Sequence, residues 1–265
     1  SSADIGHMTT IGLFDSGVGG LSVLRHLAAL EPSASLVYLA DQGFAPYGER
    51  SLEAVRARSL DAAAELRLRG ADEIVVACNT ASAAALDALR AEHDDIPIVG
   101  MEPAVKPAAA LTTTRTIAVL ATTATFQGEL YASLRSSFGG GTEIIELTGT
   151  GLAAAVEAGC VRGPEVEALL RPHVEAVGAA GAVVLVVGCT HYPFRQQTLA
   201  SMLGRVVTVV DPSPAVARPA LRRLPLTPRS EPPLRLALTT GDPGRFGEQL
   251  AIMFGPMDAV SGVRI

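Results

Sequence analysis

The sequence contains very little lysine. Lys106 is the only lysine among 265 residues, and it lies between Val105 and Pro107. Pyridoxal phosphate is held in its enzymes as a Schiff base on a lysine side chain. A pyridoxal enzyme is therefore disfavoured, and we expect a protein that works without a cofactor.

Cysteine, long apolar runs and net positive charge are also scarce. The chain has three cysteines, and no apolar run reaches the roughly 18 residues of a membrane-spanning helix. Few cysteines disfavour a disulfide framework and favour a reducing, cytoplasmic location. A formal net charge of −6 disfavours nucleic-acid binding, which usually shows as a basic patch. We therefore expect neither a membrane nor a nucleic acid as partner.

Short apolar segments alternate with segments of helical pattern. Strands are predicted at 10–14, 35–39, 74–77 and 96–99, and after Gly100 the alternation restarts with strands at 115–120, 143–147, 183–187 and 206–210. Helices are predicted between them, among others at 51–69, 80–92 and 125–138. This alternation is typical of parallel sheets with helices on both faces. We predict an α/β fold of two similar three-layer domains with mostly parallel sheets and an active site in the cleft between them.

The domain limits are predicted from this restart. The first domain takes residues 8–99 and 212–265, and the second takes 100–211. Residues 1–7, ahead of Met8, are predicted to be a tag remnant. The stretch 219–233 is rich in Arg and Pro and is predicted to be a surface linker. A last strand at 234–239 and a last helix at 243–254 are expected to return to the first domain.

Two cysteines stand in matching local settings. Cys78 and Cys189 each end a short apolar run, and each is followed by small polar residues. A lone cysteine after a strand is usually a packing residue. These two, however, stand at the carboxyl ends of predicted parallel strands, where open α/β sheets bind their ligands. They predict a pair of thiols that act as acid and base on opposite faces of one carbon, whereas Cys160, in a loop-like segment, is read as a bystander.

Two other kinds of site are weighed against this interpretation. Cys189 and His191 with a distant Cys78 could supply a zinc site, but the usual Cys-x-x-Cys pairs are absent, so no metal is expected. The run 15–20 (Asp-Ser-Gly-Val-Gly-Gly) resembles a phosphate loop without the spacing of the nucleotide-binding motifs. It is either a plain strand-to-helix turn or a turn that aims Asp15 and Ser16 into the cleft.

Several further polar residues are candidates for the same cleft. Tyr47 and the amide of Gly48 could bind a carboxylate. His191, next to a thiol, is either a buried strand-end histidine or a general acid/base partner. Glu157 is either solvated helix surface or a partner of His191.

The motifs together resemble those of the glutamate racemases. The matching runs are 15–21 (Asp-Ser-Gly-Val-Gly-Gly-Leu), 46–48 (Pro-Tyr-Gly), 77–81 (Ala-Cys-Asn-Thr-Ala), 188–193 (Gly-Cys-Thr-His-Tyr-Pro) and 239–243 (Thr-Thr-Gly-Asp-Pro) with Phe246. They occur in order and span nearly the whole chain. The resemblance implies a cofactor-independent racemase that makes D-glutamate for bacterial peptidoglycan. It is compatible with a homodimer, although the sequence gives no oligomeric state.

The resemblance also implies roles for individual residues. Cys78 and Cys189 carry over as the two acid/base thiols, Cys78 for D-glutamate, with Asp15, His191 and Glu157 as their helpers. The implied substrate contacts include Asp15 and His191 as well, and the others are Ser16, Pro46, Tyr47, Gly48, Asn79, Thr80, Thr122, Thr125 and Thr190.

Two segments differ from the frequent family pattern. The run 147–151 (Leu-Thr-Gly-Thr-Gly) stands where many members have Cys-Pro, and 42–44 (Gln-Gly-Phe) stands where Thr-Ala-Arg is frequent. Both differences bear on substrate contacts, subunit contacts or regulation. Two alternatives stay open: a racemase of aspartate or another small acidic amino acid, and a small-ligand binding protein, which would not require the two thiols.

Overall fold

The computed structural model describes residues 9–137, 141–222 and 232–265, so the predicted tag remnant lies outside the described residues. The strands are β1 (Thr10–Asp15), β2 (Ser35–Ala40), β3 (Glu73–Val76), β4 (Ile98–Gly100), β5 (Thr116–Ala121), β6 (Glu143–Thr148), β7 (Val184–Gly188), β8 (Thr208–Val210), β9 (Arg235–Thr239) and β10 (Ala259–Gly262). They form a six-stranded sheet in the order β10-β9-β2-β1-β3-β4 and a four-stranded sheet in the order β6-β5-β7-β8. The described strand pairs are parallel.

Helices cover both faces of each sheet. They are α1 (Leu21–Leu30), α2 (Leu52–Leu68), α3 (Asn79–Glu92), α4 (Val105–Leu111), α5 (Thr123–Gln127), α6 (Glu129–Ser137), α7 (Leu152–Glu157), α8 (Pro164–Ala179), α9 (Gln196–Leu203), α10 (Ser213–Arg222) and α11 (Pro243–Met253), with short 3₁₀ turns at Tyr47–Glu49 and Tyr192–Arg195. The prediction of two parallel-sheet α/β domains is confirmed. In the described residues no helix is both long and apolar enough to cross a membrane.

Burial on both faces explains the continuous apolar runs of the central strands. In β1, Ile11 and Leu13 face the core formed with α1 and α10, whereas Phe14 faces the core formed with α2 and α3. The second sheet has the same arrangement, since alternate residues of β7 belong to two separate apolar clusters. Each sheet is thus the middle layer of a three-layer sandwich, and polar side chains can project into ligand space only at the strand ends.

The structure differs from the sequence prediction at the Arg- and Pro-rich stretch. Ser213–Arg222 is the helix α10, and Ala217 and Ala220 are fully buried in the same core as α1. The predicted linker is therefore wrong over residues 219–222, because two small residues on one helical face pack closely against a neighbour. The part of the predicted linker at 223–231 lies outside the described residues.

Three further elements differ from the prediction. The helix predicted at 125–138 is two helices, α5 and α6, separated at Gly128 in an extended conformation. A Cβ on Gly128 would lie 2.5 Å from Cβ of Ala83, so the break lets the chain approach α3 closely. Helix α4 and strand β10 were not predicted, and β10 pairs with β9 in the six-stranded sheet.

Candidate active site

A cavity of about 380 Å³ lies at the carboxyl ends of the strands of both sheets. Cys78 and Cys189 both line it, and both are buried. Cys78 follows β3 of the six-stranded sheet, and Cys189 follows β7 of the four-stranded sheet. The other predicted site residues that line the cavity are Ser16, Pro46, Tyr47, Gly48, Asn79, Thr80, Thr122, Glu157, Thr190 and His191. Each sheet therefore contributes one thiol to a shared space.

The Cys78 thiol caps the N-terminus of α3. Its Sγ accepts a hydrogen bond of 3.4 Å from the backbone amide of Ala81. Burial raises the pKa of the Cys78 thiol well above its usual range, and the nearby charge of Asp15 raises it further, against the opposing effect of the Ala81 amide. These surroundings favour the protonated form of the Cys78 thiol.

Asp15 ends β1 behind the cavity wall. Its Oδ2 accepts the amide of Gly20 at 2.8 Å and that of Gly17 at 3.4 Å, and its Oδ1 accepts the Thr190 hydroxyl at 3.4 Å. Burial raises the pKa of the Asp15 carboxyl, although the charge of His191 and the Gly20 amide act in the opposite direction. A carboxyl with a raised pKa beside a buried thiol can exchange a proton with it.

The Cys189 thiol has a different partner. Its Sγ lies 3.7 Å from Nδ1 of His191, and Nε2 of His191 lies 2.6 Å from Oε1 of Glu157. Burial alone would lower the pKa of His191, but the hydrogen bonds and charges of Cys189 and Glu157 outweigh burial and raise it well above its usual value. A cationic imidazole favours a negative charge on the neighbouring sulfur. The two thiols are thus placed in unlike electrostatic surroundings.

Glu157 is held as a carboxylate from several sides. Burial would raise its pKa, but the hydrogen bond and charge of His191, the Gln42 amide and the backbone amide of Val18 together lower it. The Val18 amide donates to Oε1 at 2.7 Å, and Nε2 of Gln42 donates to Oε2 at 3.0 Å. Glu157 and His191 therefore form an ion pair in which His191 is buried and Glu157 is partly buried.

The glycines of the turn after β1 are required by this close packing. A Cβ on Gly17 would clash with the carboxylate of Glu157. A Cβ on Gly19 would lie 2.5 Å from Nδ1 of His191 and 2.5 Å from Oγ1 of Thr190. The turn at 15–20, which lacks the spacing of the nucleotide-binding motifs, thus packs against the His191–Glu157 pair.

Tyr47 is part of a buried polar cluster. Its hydroxyl donates to Oδ2 of Asp41 at 2.7 Å, and Arg58 holds both oxygens of Asp41 at 2.7 and 2.8 Å. Burial and the Asp41 charge raise the pKa of Tyr47. The Tyr47 proton is therefore engaged by Asp41, so that towards the cavity this hydroxyl can act only as an acceptor.

Three threonine hydroxyls link α3 to α5. Oγ1 of Thr122 lies 3.0 Å from Oγ1 of Thr80 and 2.9 Å from Oγ1 of Thr125. Thr80 and Thr122 line the cavity. Thr125 does not line it in the described structure and lies behind these two residues. Thr125 supports the other two, and so, like Asp15, it acts on the cavity from behind its wall.

Asn79 carries an unpaired buried amide. It is 3% exposed and lines the cavity beside Cys78. Within the described part of the chain neither Nδ2 nor Oδ1 has a hydrogen-bond partner. Buried polar groups are nearly always paired, and an unpaired one has a cost of about 1–3 kcal/mol. The amide is thus available to a ligand that brings both a donor and an acceptor.

Other residues of the cavity were missed from the sequence. They include Gln42, Thr148, Gly149, Thr150, Asp242 and Arg245. The segments 42–44 and 147–151 were predicted to bear on substrate contacts, subunit contacts or regulation, and 239–243 matched a family motif, but no individual residue in them was predicted to line the cavity. Among residues 9–137, 141–222 and 232–265 no group of three or more His, Cys, Asp or Glu could hold a metal ion.

Comparisons with known proteins agree with this fold. The sequence model of the family described as "Asp/Glu/Hydantoin racemase" matches residues 21–220. "Glutamate racemase" of Ectopseudomonas mendocina (strain ymp) is 46% identical over 214 residues, 81% of this chain and 81% of the relative. "Glutamate racemase" of Roseiflexus sp. (strain RS-1) is 44% identical over 255 residues, 94% of each chain.

A solved structure extends the likeness to three dimensions. Glutamate racemase from Francisella tularensis subsp. tularensis SCHU S4, in complex with D-glutamate, has a TM-score of 0.85 and 25% identity, and the match covers 97% of this chain and 98% of that one. The class that the fold and these likenesses define is that of the amino-acid racemases, which are isomerases. The chain belongs to the Asp/Glu/Hydantoin racemase family, which confirms the resemblance seen in its motifs.

Proposed function

We propose that this enzyme interconverts L- and D-glutamate with two cysteine thiols, without a cofactor. The observation that carries the proposal is the pair of buried thiols on one cavity, each with its own acid/base partner. Cys78 has Asp15 behind it, and Cys189 has the His191–Glu157 pair. Inversion at a carbon needs a base on one face and an acid on the other, and this arrangement supplies both.

The cavity lining suits an amino acid with carboxylate groups, and the matching relatives favour glutamate. The unpaired amide of Asn79 offers a donor to a carboxylate and an acceptor to an ammonium group. The positive end of the α3 dipole favours a carboxylate at the same place. The Thr80 and Thr122 hydroxyls add further donors. The relatives that match are glutamate racemases, and one of them is solved in complex with D-glutamate.

Each direction of the reaction uses one thiolate and one thiol. For L-glutamate, the Cys189 thiolate removes the Cα proton and becomes a thiol. The electron pair left on Cα is delocalised into the carboxylate, whose developing charge is stabilised by donors fixed in the site. The Cys78 thiol then delivers its proton to the opposite face and becomes a thiolate. For D-glutamate the roles exchange, and Cys78 is the base.

The unlike surroundings of the thiols support this order in the resting enzyme. The raised pKa of Cys78 favours the thiol form there, and His191 lies 3.7 Å from the Cys189 sulfur as its proton partner. An acid at Cys78 and a base at Cys189 is the arrangement that L-glutamate requires. After one turnover of L-glutamate, Cys189 is the thiol and Cys78 is the thiolate. Asp15 and His191 are the groups through which the protons return to the resting distribution.

The wider setting of the reaction belongs to the same proposal. The D-glutamate produced is used for bacterial peptidoglycan, and the reaction takes place in the cytoplasm, as the three free cysteines favour. A homodimer is the oligomer we propose, and light scattering tests it.

Aspartate is the competing substrate, because the matching family spans both amino acids.

Solvent deuterium exchange tests the proposal directly. The enzyme is incubated in deuterium oxide with L-glutamate, and in parallel with L-aspartate, and the Cα–H signal is followed by proton NMR. We expect deuterium at Cα of glutamate, formation of the D-enantiomer, and no requirement for added pyridoxal phosphate or zinc. Exchange confined to aspartate would transfer the proposal to that substrate, and binding of glutamate without exchange would indicate a binding protein.

A further inference from the structure

The side-chain amide of Gln42 is fixed at both ends. Its Nε2 donates to Oε2 of Glu157 at 3.0 Å and to Oε1 of Gln249 at 2.8 Å. Its Oε1 accepts the hydroxyl of Thr239 at 3.0 Å. Since Thr239 has a hydroxyl to donate and Glu157 is an ionised acceptor, the amide has one favourable orientation.

Gln249 holds the same glutamate by its main chain. Its Nε2 donates to the carbonyl oxygen of Glu157 at 2.7 Å, and the guanidinium of Arg245 donates to the same oxygen at 3.0 Å. Gln42 follows β2, and Gln249 and Arg245 belong to α11, so all three come from the six-stranded-sheet side. Glu157 ends α7 on the other side. The contacts therefore hold both the carboxylate and the backbone of Glu157 from across the cleft.

The two carboxylate oxygens of Glu157 accept hydrogen bonds from different groups. Oε1 receives His191 and the Val18 amide, whereas Oε2 receives Gln42. A terminal carboxylate torsion is soft, so a bond to one oxygen alone leaves the plane of the group poorly fixed. The bond to Gln42 fixes this plane and so directs Oε1 at Nε2 of His191.

We propose that Gln42, supported by Gln249, is a positioning residue that orients Glu157 towards His191 and thereby sets the proton affinity on the Cys189 side of the cavity. The inference rests on the proposed two-thiol function. A neutral amide suits this role, because a cation at position 42 would compete with His191 for Glu157. Position 42 is also where this sequence departs from the frequent family pattern.

The charged groups that face His191 limit how far its pKa can change when Gln42 is replaced. They are Cys189 from its own segment, Glu157 from α7 and Asp15 from the end of β1. Replacement of Gln42 leaves Cys189 and Asp15 in place and weakens the Glu157–His191 pair. The pKa of His191 should therefore fall, and that of Glu157 should rise, both towards their ordinary values.

The test replaces the amide by an apolar chain of equal length, Gln42→Met, in the full-length enzyme. We expect the His191 ring signal, followed by NMR, to titrate at lower pH than in the unaltered enzyme. We also expect kcat for glutamate to fall by about tenfold with KM within about threefold, because the Gln42 amide is already engaged by Glu157, Gln249 and Thr239 and acts on proton transfer through Glu157. The acidic limb of the kcat profile should move to higher pH. An unchanged His191 titration would overturn the proposal.

Two further variants test whether Gln42 acts through Glu157. Gln249→Leu leaves the donor of Gln42 on Glu157 and should give a smaller shift of the His191 titration. In a Glu157→Gln background, Gln42→Met should cause no further loss of kcat, since residues that act through one another are not additive. An additive loss would overturn the proposal. Should Gln42→Met fail to fold, Gln42→Leu serves in its place.

The readouts separate this inference from the function on which it rests. The His191 titration is measured without substrate and does not depend on turnover. Absence of Cα exchange in the unaltered enzyme would sink the two-thiol proposal alone. An unchanged titration in Gln42→Met, with normal exchange in the unaltered enzyme, would sink the positioning role alone.

Discussion

Oε1 of Glu157 lies 2.6 Å from Nε2 of His191, although the two residues are 34 positions apart and both are largely withdrawn from solvent. The pair joins the end of α7 to the segment that carries Cys189. A buried ion pair is costly to break when one partner loses its charge. We therefore expect both the folding stability and the activity of the enzyme to depend on pH through this pair.

The first prediction concerns stability against pH. The folded-state pKa of Glu157 is lowered, so its contribution is present above its ordinary value of 4.5 and is lost as pH falls below that value. The folded-state pKa of His191 is raised, so its contribution is present below 6.5 and is lost as pH rises above that value. The pair thus contributes most between these two values.

Urea unfolding measured across pH checks this prediction. In Glu157→Gln the acid-side loss that belongs to Glu157 should disappear. The matched control is Glu146→Gln, whose carboxylate pairs with Arg135 on the exposed surface and should leave the profile nearly unchanged. Equal profiles for Glu157→Gln and the unaltered enzyme would contradict the prediction.

The second prediction concerns Gly19. Alanine there places a Cβ 2.5 Å from Nδ1 of His191, so the imidazole or the turn must shift. A displacement near 1 Å at a catalytic group costs on the order of 10²-fold in rate. We expect Gly19→Ala to lower kcat by about that factor, measured by circular dichroism of the glutamate product.

Gly178→Ala is the matched control for Gly19→Ala. Gly178 lies within α8, and a Cβ there meets open space. The substitution should raise the free energy of unfolding by roughly 0.5–1 kcal/mol, since alanine is the better helix former. Its racemase activity should stay unchanged. Full activity in Gly19→Ala would show that the turn can move away from His191 freely.

The third prediction concerns the unpaired amide of Asn79. Asn79→Ala removes a buried group that has no partner within the described chain, so the unfolding free energy should stay level or rise by about 1 kcal/mol. The KM for glutamate should rise at least about tenfold, the equivalent of about 1.4 kcal/mol. Stability and binding thus change in opposite directions.

Ser82→Ala provides the contrast within the same helix. The Ser82 hydroxyl is buried and bonded to the carbonyl of Val76 and the amide of Met101. Its loss should reduce the unfolding free energy by roughly 1–2 kcal/mol and leave KM unchanged. Paired urea-unfolding and kinetic measurements decide the matter. A marked loss of stability in Asn79→Ala would mean that its amide is satisfied in the free enzyme.

Much of the fold could be predicted because its signals are local. The strand at 10–14 and the turn after it are visible, since a parallel strand buried on both faces is a continuous apolar run. Helix α10 was missed because arginines and prolines obscure the small residues, Ala217 and Ala220, that pack against α1. Strand β10 was missed because it is short and largely exposed.

The candidate site, like the fold, could be predicted from the sequence only in part. The two thiols could be grouped because each follows a parallel strand of its own domain, and open α/β sheets bind ligands at the carboxyl ends of their strands. The role of Gln42 could not be predicted, because its partners Gln249 and Glu157 are 207 and 115 positions away and are brought to it only by the folded chain. Asn79 could be placed at the cavity by its motif, but its unpaired state depends on the packing of its neighbours.

The last prediction concerns the thiols themselves. Cys78→Ala and Cys189→Ala each remove one acid/base group, and such groups contribute about 10²–10⁴-fold to a rate. Racemisation should therefore fall by at least that factor in each variant, with the far-ultraviolet circular dichroism unchanged. Cys160→Ala is the matched control, since Cys160 is a half-buried free cysteine that does not line the cavity in the described structure. It should keep full activity.

The isotope pattern separates the two roles. A variant that keeps one thiol can still remove the Cα proton of the enantiomer facing it and return deuterium to the same face. We expect Cys78→Ala to exchange L-glutamate without inversion, and Cys189→Ala to exchange D-glutamate without inversion, each measured by NMR with chiral analysis of the product. The reverse assignment would exchange the roles of the two sulfurs. Full racemisation in either variant would refute the two-thiol mechanism, because one sulfur cannot serve both faces of the same carbon.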